Sequence, residues 1–137
     1  MADMTPETRI DPETGVTLHR GVRTTVVRYG TLSRTMAVPG WYSADEGSDE
    51  GLHSGTDLIE SDHAYQELRA EYAARIRTLR KQWGLTQEEA GRIIGGGKRA
   101  FQKYESGKTP PSDAAIGLIE LLARHPEEVE TLRALRG

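Results

Sequence analysis

The sequence contains no cysteine among its 137 residues. Disulfide bonds and zinc sites built on cysteine thiolates are therefore excluded. No apolar run is long enough to span a membrane, and the N-terminus does not show the pattern of a signal peptide. Hydrophobic residues make up only 36% of the chain, which predicts a modest core. We expect a cytoplasmic protein with no membrane contact and one or two small domains.

Patterns for catalysis and for cofactor binding are also missing. The glycines before Lys98 do not have the spacing of a phosphate-binding loop, because Arg92 and Arg99 occupy two of its required positions. The acidic stretch at residues 43–57 lacks the spacing of a calcium loop, since Gly47 stands where an oxygen ligand is needed. The four histidines are scattered, and no nucleophile motif is present. We expect no cofactor, no metal ion and no enzymatic activity.

Charge is distributed unevenly along the chain, although its net value is only -3. Residues 1–61 carry five basic against ten acidic side chains, whereas residues 62–137 carry thirteen against eleven. Within residues 75–108 the count is nine against three. This local excess of positive charge is compatible with nucleic-acid binding even in an acidic protein.

The basic region contains the pattern of two short helices joined by a glycine turn. Thr86 and Glu89 have the T-x-x-E spacing of a capping box, which predicts the start of the first helix. Gly95–Gly97 predict its end, because glycine accepts the positive φ angles that a sharp turn requires. A second helix is predicted from Gly97 to Glu105. The arrangement is typical of a helix-turn-helix, whose second helix enters the major groove of DNA.

The predicted second helix has one apolar and one cationic face. At about 100° per residue, Ala100, Phe101 and Tyr104 share the apolar arc. Arginine and lysine can reach guanine acceptors, and glutamine can pair with adenine. Base contacts are therefore predicted for Lys98, Arg99, Gln102 and Lys103, all placed on this helix. Phosphate contacts are predicted for Thr86, Gln87, Tyr104 and Lys108. The alternative is a solvated charged face on an ordinary bundle helix.

The N-terminal part predicts a small β structure. Residues 1–12 are polar, and we expect them to be mobile. Residues 16–38 are rich in β-branched side chains and predict two or three short antiparallel strands, with turns at Arg20-Gly21 and Tyr29-Gly30-Thr31. Pro39-Gly40-Trp41-Tyr42 predicts a further turn. The acidic, glycine-rich and serine-rich residues 43–57 predict a linker or a flexible loop.

The remaining residues predict helices. A long helix is expected from Asp62 to Trp83, capped by Ser61 or Asp62 and ended by Gly84. Ser112 predicts the start of a fourth helix, and Pro126 the first position of a fifth. The fold class is therefore α+β, with a β-rich domain over residues 1–60 and a five-helix bundle over residues 61–137. The apolar faces of the last two helices favour a homodimer formed through the C-terminal domain.

The run GLTQEEAGRIIGGGKRAFQKYESGKTPPS, with the later LLARHPEEVETLR, resembles the helix-turn-helix domain of MqsA-type (YgiT-type) antitoxins. These belong to the wider Xre-like class, in which LTQ-x-x-A and YE-x-G are common. The resemblance implies a dimeric protein that binds a double-stranded DNA operator and represses its own operon. It also implies a toxin protein partner, an mRNA-cleaving ribonuclease of the RelE-like type. The family reads bases with an Asn and an Arg, which match Arg99 and Lys103 here and imply a different operator sequence.

The resemblance is looser in the N-terminal half, where the family carries two C-x-x-C pairs that bind a structural zinc ion. The equivalent stretches here lie around Ile10 to Gly15 and Ser43 to Glu46. Neither contains cysteine, so the zinc site is expected to be lost, and this half must be held together otherwise. Two alternatives remain open. One is a stand-alone Xre-family transcriptional regulator with a ligand- or protein-sensing N-terminal domain. The other is an interaction adaptor that no longer binds DNA.

Overall fold

The computed structural model describes residues 7–137, which form a four-stranded sheet followed by five α-helices. The strands are β1 (Thr8–Ile10), β2 (Thr17–Tyr29), β3 (Leu32–Tyr42) and β4 (Gly51–Leu52). The helices are α1 (Ile59–Gln82), α2 (Gln87–Ile93), α3 (Ala100–Ser106), α4 (Asp113–Arg124) and α5 (Val129–Arg136). This confirms the α+β class. Along the described residues no helix combines the length and the apolar composition needed to cross a membrane.

The chain divides into two compact units. The sheet unit contains the described residues up to Val27 together with Arg34–Tyr65. The helical unit contains Arg28–Ser33 and Gln66–Gly137. The tip of the β2–β3 hairpin therefore belongs to the helical unit, although its two strands run mainly through the sheet unit.

Two of the predicted turns are wrong, because strands continue through them. β2 passes through Arg20-Gly21, next to the residues that pair with β1, and the backbone N–H of Arg20 donates to the Glu7 carbonyl at 2.6 Å. β3 passes through Pro39-Gly40 and pairs with β4 in antiparallel register, Trp41 opposite Leu52. A Cβ at Gly40 would lie 2.8 Å from the Leu52 carbonyl oxygen, so glycine is required there by close packing. Pairing with a neighbouring strand thus outweighs the local turn preference.

The turn predicted at Tyr29-Gly30-Thr31 is confirmed, and it serves packing as well as chain reversal. Gly30 has a φ of 60°, which favours glycine. A Cβ there would lie 2.6 Å from the ring of Tyr72, which is fully buried. The ring of Tyr29 meets that of Tyr72 edge-on at a centroid distance of 6.3 Å. The hairpin tip is therefore packed into the core of the helical unit.

Aromatic rings and guanidinium groups organise the sheet unit around Trp41, which is 2% exposed. The guanidinium carbons of Arg9 and Arg20 lie 4.8 and 4.5 Å from its ring centroid. Arg20 also donates two hydrogen bonds to Asp57, at 2.7 and 2.8 Å. Asp57 is only 5% exposed, so this charge is paired inside the unit.

The stretch expected as a linker or flexible loop, residues 43–57, contains β4 and the buried Asp57. The guanidinium group of Arg23 donates to the Ser43, Asp45 and Ser48 carbonyls at 2.7, 3.1 and 2.6 Å. One cation thus binds several backbone acceptors of the acidic loop. The mobility expected for residues 1–12 falls partly outside the described residues, and Thr8–Ile10 of that range forms β1.

Helix α1 begins at Ile59, three residues before the predicted start, so the predicted capping role of Ser61 or Asp62 is wrong. The backbone N–H of Asp62 already bonds to Leu58, and the Ser61 hydroxyl donates to the same carbonyl. The predicted end is confirmed to within one residue, because α1 ends at Gln82 and Gly84, with a φ of 69°, follows in the turn after it. Six apolar and aromatic side chains recur along α1 at helical spacing, which predicts one buried face. Five of them are buried, Leu68, Tyr72, Ile76, Leu79 and Trp83, whereas Tyr65 is 36% exposed.

At the other end of the chain, the predicted start of α4 is confirmed. The Ser112 hydroxyl accepts a hydrogen bond from the backbone N–H of Ala115 at 3.2 Å. The prediction that Pro126 opens the fifth helix needs correction, because Pro126–Glu128 form a 3-10 turn and α5 begins at Val129. Proline lacks a backbone N–H and has a fixed φ, which suits the first position of either kind of helix.

Candidate nucleic-acid interface

The first helix of the motif, α2, begins as the sequence predicts. The Thr86 hydroxyl accepts from the backbone N–H of Glu89, and the Glu89 carboxylate accepts from that of Thr86, at 3.1 and 3.2 Å. This reciprocal capping box satisfies two donors that would otherwise lack partners. The backbone N–H of Thr86, its hydroxyl and the positive charge of Arg133 lower the pKa of Glu89.

Three consecutive glycines connect α2 to α3, and all three have positive φ angles. The values are 133° for Gly95, 92° for Gly96 and 93° for Gly97. The N–H groups of Gly95 and Gly97 both donate to the carbonyl of Gly91, at 3.2 and 3.3 Å. A Cβ on Gly91 would lie 2.0 Å from the Gly97 carbonyl oxygen. The sharp turn thus depends on a fourth glycine, inside α2, against which it packs.

The second helix, α3, begins at Ala100 and is shorter than predicted. Lys98 and Arg99 precede it, so placing them on the recognition helix is wrong; Arg99 occupies the N-cap position without a side-chain cap. The turn uses Gly97 to reach the helix start, because the Gly97 carbonyl accepts from the Ala100 N–H at 3.1 Å. The helix ends at Gly107, whose φ of 74° and N–H bonds to Lys103 and Tyr104 close its last turn.

The predicted apolar arc of α3 is confirmed, because Ala100, Phe101 and Tyr104 are all buried. The rings of Phe101 and Tyr104 meet edge-on at 5.3 Å. Burial raises the pKa of Tyr104. Tyr104, predicted as a phosphate contact, is thus mainly a packing residue, with 8% of its surface exposed.

The four residues predicted to contact bases are all exposed around the start of α3 and along its outer side. Lys98 lies 3.8 Å from Glu88, and both side chains are well exposed, so this ion pair is weak. Lys108 is exposed in the loop after α3, and its N–H donates to the Lys103 carbonyl at 3.0 Å. Thr86 is exposed and Gln87 half-buried at the start of α2. The predicted site residues thus surround the two helix starts and the loop after α3.

A buried ion pair fixes α3 against α1, which sequence reasoning did not identify. Arg80 donates to both carboxylate oxygens of Glu105, at 2.7 and 2.9 Å, and also to the Leu85 carbonyl at 2.9 Å. The two side chains are only 12% and 5% exposed. Hydrogen bonding to Glu105 raises the pKa of Arg80. Arg80 therefore contributes to the orientation of α3 and not to its cationic surface.

Arg75 belongs to a second cluster, in which its positive charge is paired with a carboxylate. Arg75 donates to both oxygens of Glu120, at 3.1 and 2.7 Å, and the Tyr72 hydroxyl donates to one of them at 3.1 Å. Burial, with the Glu120 charge as the next cause, raises the pKa of Tyr72 to about 12. The basic excess counted over residues 75–108 thus overstates the charge available to DNA. Of the four charged residues in these two ion pairs, only Glu105 belongs to a sequence motif, YE-x-G.

The two stretches of the sheet unit that correspond to the C-x-x-C pairs of the resembled family do not suit a zinc ion. In the stretch around Ile10 to Gly15, Asp11 accepts from the backbone N–H of Glu13 at 2.9 Å. In the stretch from Ser43 to Glu46, Asp45 accepts from the backbone N–H of Gly47, also at 2.9 Å. Both carboxylates stabilise their own turns. No group of three or more potential metal ligands is found within residues 7–137, and the chain has no cysteine.

By architecture this is an α+β protein with a helix-turn-helix whose turn is made of glycine. Exposed basic residues lie just before its second helix, at Lys98 and Arg99, and on that helix, at Lys103. Residues 16–133 match the family described as the antitoxin component of a bacterial toxin-antitoxin system, MqsA. The chain therefore belongs to the MqsA antitoxin family, of which it is a member without zinc-binding cysteines.

Two relatives match part of this chain in sequence. "Antitoxin MqsA" of Escherichia coli (strain K12) is 44% identical over 58 residues, which are 42% of this chain and 44% of the relative. "Antitoxin HigA-2" of Vibrio cholerae serotype O1 (strain ATCC 39315 / El Tor Inaba N16961) is 27% identical over 60 residues. These are 44% of this chain and 58% of that relative. The chain thus matches about half the length of these relatives.

Proposed function

We propose that this chain is the antitoxin of a type II toxin–antitoxin system. In this proposal it binds a RelE-like ribonuclease toxin through residues 1–60 and represses its own operon through the helix-turn-helix. The observation that supports repression best is a group of exposed basic residues, Lys98 and Arg99 just before α3 and Lys103 on it, next to a turn and an ion pair that fix the helix. No catalytic step is involved.

Operator binding would place α3 in the major groove, with the residues before it at the groove entrance. Arg99 and Lys103 are the main candidates for base contacts, with Lys98 and Gln102 beside them. Thr86, Gln87, Tyr104 and Lys108 are the candidates for phosphate contacts, and among these the buried ring of Tyr104 leaves least surface for DNA.

Two substitutions test the DNA contacts on the promoter of the chain's own operon. Arg99→Ala should weaken binding by about 1–3 kcal/mol and relax the preference at one base pair. Lys108→Ala should weaken binding to all sequences alike and reduce the salt slope by about 1. Arg124→Ala, which removes an exposed cation at the end of α4, is the matched control. Unchanged affinity and preference in Arg99→Ala would show that this segment does not read bases.

Toxin binding is best supported by apolar side chains that stay exposed on the sheet unit. Val22 and Val26 are 62% and 44% exposed, and their spacing places them on the same face of β2. Ile10 on β1 is 67% exposed. The net negative charge of residues 1–61 would favour a basic partner such as an RNA-cleaving enzyme.

The test of toxin binding is a pull-down with tagged full-length protein expressed from its native operon. Deleting residues 1–60 would also remove Arg28–Ser33 from the helical unit. Val22→Lys is therefore the better variant, with Ala70→Lys at an exposed position of α1 as control. A small partner that co-purifies with wild type and control, and is lost with Val22→Lys, supports the antitoxin role. If nothing co-purifies and the promoter DNA is still bound, a stand-alone Xre-family regulator is the better description.

Dimerisation through the helical unit is the third part of the proposal. Ile119, Leu122 and Val129 are buried within the unit, so the apolar surface left for a partner is narrower than the sequence suggests. Leu121 on α4 and Leu135 on α5 remain 51% and 74% exposed. A dimer formed there would present two copies of α3 to half-sites about 10 bp, or a multiple of that, apart.

A further inference from the structure

Helix α5 contacts both ends of α2 with two arginine side chains. Near the start of α2, Arg133 Nη2 lies 4.0 Å from Glu89 Oε2 of the capping box. At the end of α2, Arg136 Nη1 donates to the carbonyl oxygens of Ile93 and Ile94, at 2.9 and 3.3 Å. Val129, at the start of α5, is 3% exposed, so α5 is itself anchored in the core.

The last backbone carbonyl groups of α2 need hydrogen-bond donors from outside the helix. The last carbonyl groups of a helix have no N–H partner within it, and a cation near them is favoured by the helix dipole. The chain then enters three glycines, which offer no side chain to hold the turn. Two of the N–H groups of the turn, those of Gly95 and Gly97, are used on Gly91 and not on the carbonyls of Ile93 and Ile94. Arg136 is therefore the group that binds the carbonyls of Ile93 and Ile94.

We propose that Arg136 is a positioning residue for α3. By binding the end of α2, its guanidinium group fixes the direction in which the chain enters the glycine turn, and hence where α3 begins. The inference rests on the proposed DNA-binding function of α3, to which it adds a residue on α5 that acts without touching DNA. The contact of Arg133 with Glu89 is long and exposed, so it adds little, and the role is assigned to Arg136 alone.

A positioning role differs measurably from a phosphate contact. Each phosphate contact contributes about 0.9 to the slope of log affinity against log salt concentration. A residue that only orients α3 changes the affinity at every salt concentration and leaves that slope unchanged. It also changes the backbone dynamics of the turn when no DNA is present.

The experiment compares Arg136→Gln, Arg136→Lys and the control Arg124→Gln in the full-length protein. Amide hydrogen exchange is followed by mass spectrometry over residues 93–100, and promoter affinity is measured at several salt concentrations. In Arg136→Gln we expect exchange in this segment to rise on the order of tenfold, because bonds from a charged donor are lost. Affinity should fall by a similar factor with an unchanged salt slope. Arg136→Lys should recover part of both, and Arg124→Gln should not alter the exchange.

The proposal is overturned if exchange over residues 93–100 stays at the wild-type rate in Arg136→Gln. It is equally overturned if the salt slope falls by about 0.9, since Arg136 would then contact a phosphate. A rise in exchange spread evenly over the whole helical unit would indicate a general loss of stability instead of a local role. If the wild-type protein binds no promoter DNA, the proposed function fails, whereas the exchange comparison still decides whether Arg136 holds the turn.

Discussion

The arginine residues of this protein fall into two groups, those whose charge is paired inside a unit and those that are exposed. Arg20, Arg23 and Arg80 are engaged with a carboxylate or with backbone carbonyls inside their units. Arg99 and Arg124 are exposed. A count of basic residues in the sequence cannot separate these two groups, because the internal contacts, except that of Arg80 with Leu85, join positions at least 20 residues apart.

Gly91 gives a prediction in which helix propensity and packing have opposite effects. Alanine is favoured over glycine within helices by about 1 kcal/mol, but a Cβ at Gly91 would lie 2.0 Å from the Gly97 carbonyl oxygen. We expect Gly91→Ala to destabilise the protein by about 1–3 kcal/mol, because the turn must move. Gly117→Ala in α4, where a Cβ meets nothing within 4 Å, should stabilise it by up to about 1 kcal/mol. Urea unfolding of both variants measures the difference, and stabilisation by both would contradict the packing argument.

Asp57 gives a prediction about acid stability. Its hydrogen bonds from Arg20 lower the pKa of this carboxyl group far below the ordinary value, burial opposes them, and the Ser54 N–H adds to the lowering. A lowered folded pKa means that Asp57 stabilises the protein above its unfolded pKa of about 3.9. This stabilisation is lost as the pH falls below that value towards the folded pKa.

Asp57→Asn should therefore destabilise the sheet unit at pH 7, by about 1–3 kcal/mol, and have less effect as the pH falls. The measurement is the urea midpoint at several pH values between 7 and 3. Asp49→Asn, in the exposed part of the acidic loop, controls for the charge. Equal losses of stability at pH 3 and pH 7 would rule out the buried pair as the cause.

Among the elements, helix starts were predicted well only where a side chain caps the helix. Thr86 and Ser112 form the hydrogen bonds expected of them, and α2 and α4 begin next to these residues. Arg99 makes no side-chain cap, and the predicted start of α3 at Gly97 lies three residues before the observed one. The continuous course of β2 and β3 is determined by neighbouring strands, which a local turn pattern does not describe.

The pairing of α1 with α3 through Arg80 and Glu105 can be tested by removing one or both charges. Glu105→Gln leaves a nearly buried guanidinium group without its carboxylate, and we expect a loss of about 3 kcal/mol. The double variant Arg80→Met, Glu105→Leu should lose less, because no charge remains buried without a partner. Denaturant unfolding of the single and double variants gives the comparison. A double variant less stable than Glu105→Gln would contradict this expectation. It would mean that the intact ion pair contributes more to the free energy of unfolding than a buried, unpaired guanidinium group costs.

For the whole molecule, the family and the fold class followed from the sequence, because the glycine turn and the capping box are local patterns. The residues that position α3 did not. Arg80, Gly91 and Arg136 act through contacts with backbone or side chains elsewhere in the helical unit, and Arg136 carries no motif at all. The exposure of Gln102 and Lys103 on α3 could be predicted from helical periodicity, whereas the contacts that support α3 could not.

The proposed dimer gives a prediction for the assembled protein. Replacing both Leu121 and Leu135 by Glu should convert dimers to monomers, because two exposed apolar side chains would become charged. Promoter affinity should fall as well, since two linked half-site contacts bind more tightly than one. Sedimentation equilibrium measures the mass, with Ile10→Glu in the sheet unit as control, 67% exposed in the wild type. A wild-type protein that remains monomeric at micromolar concentration would exclude this interface.

The positions of the two tryptophans make the protein its own optical reporter. Trp41 belongs to the sheet unit and Trp83 to the helical unit, and they are only 2% and 9% exposed. Trp83→Phe would leave an indole emission that follows the sheet unit alone, with two guanidinium groups over its ring. Trp41→Phe would leave one that follows the helical unit. The order in which the units unfold, and which of them responds to a toxin or to DNA, can thus be followed by fluorescence without any attached dye.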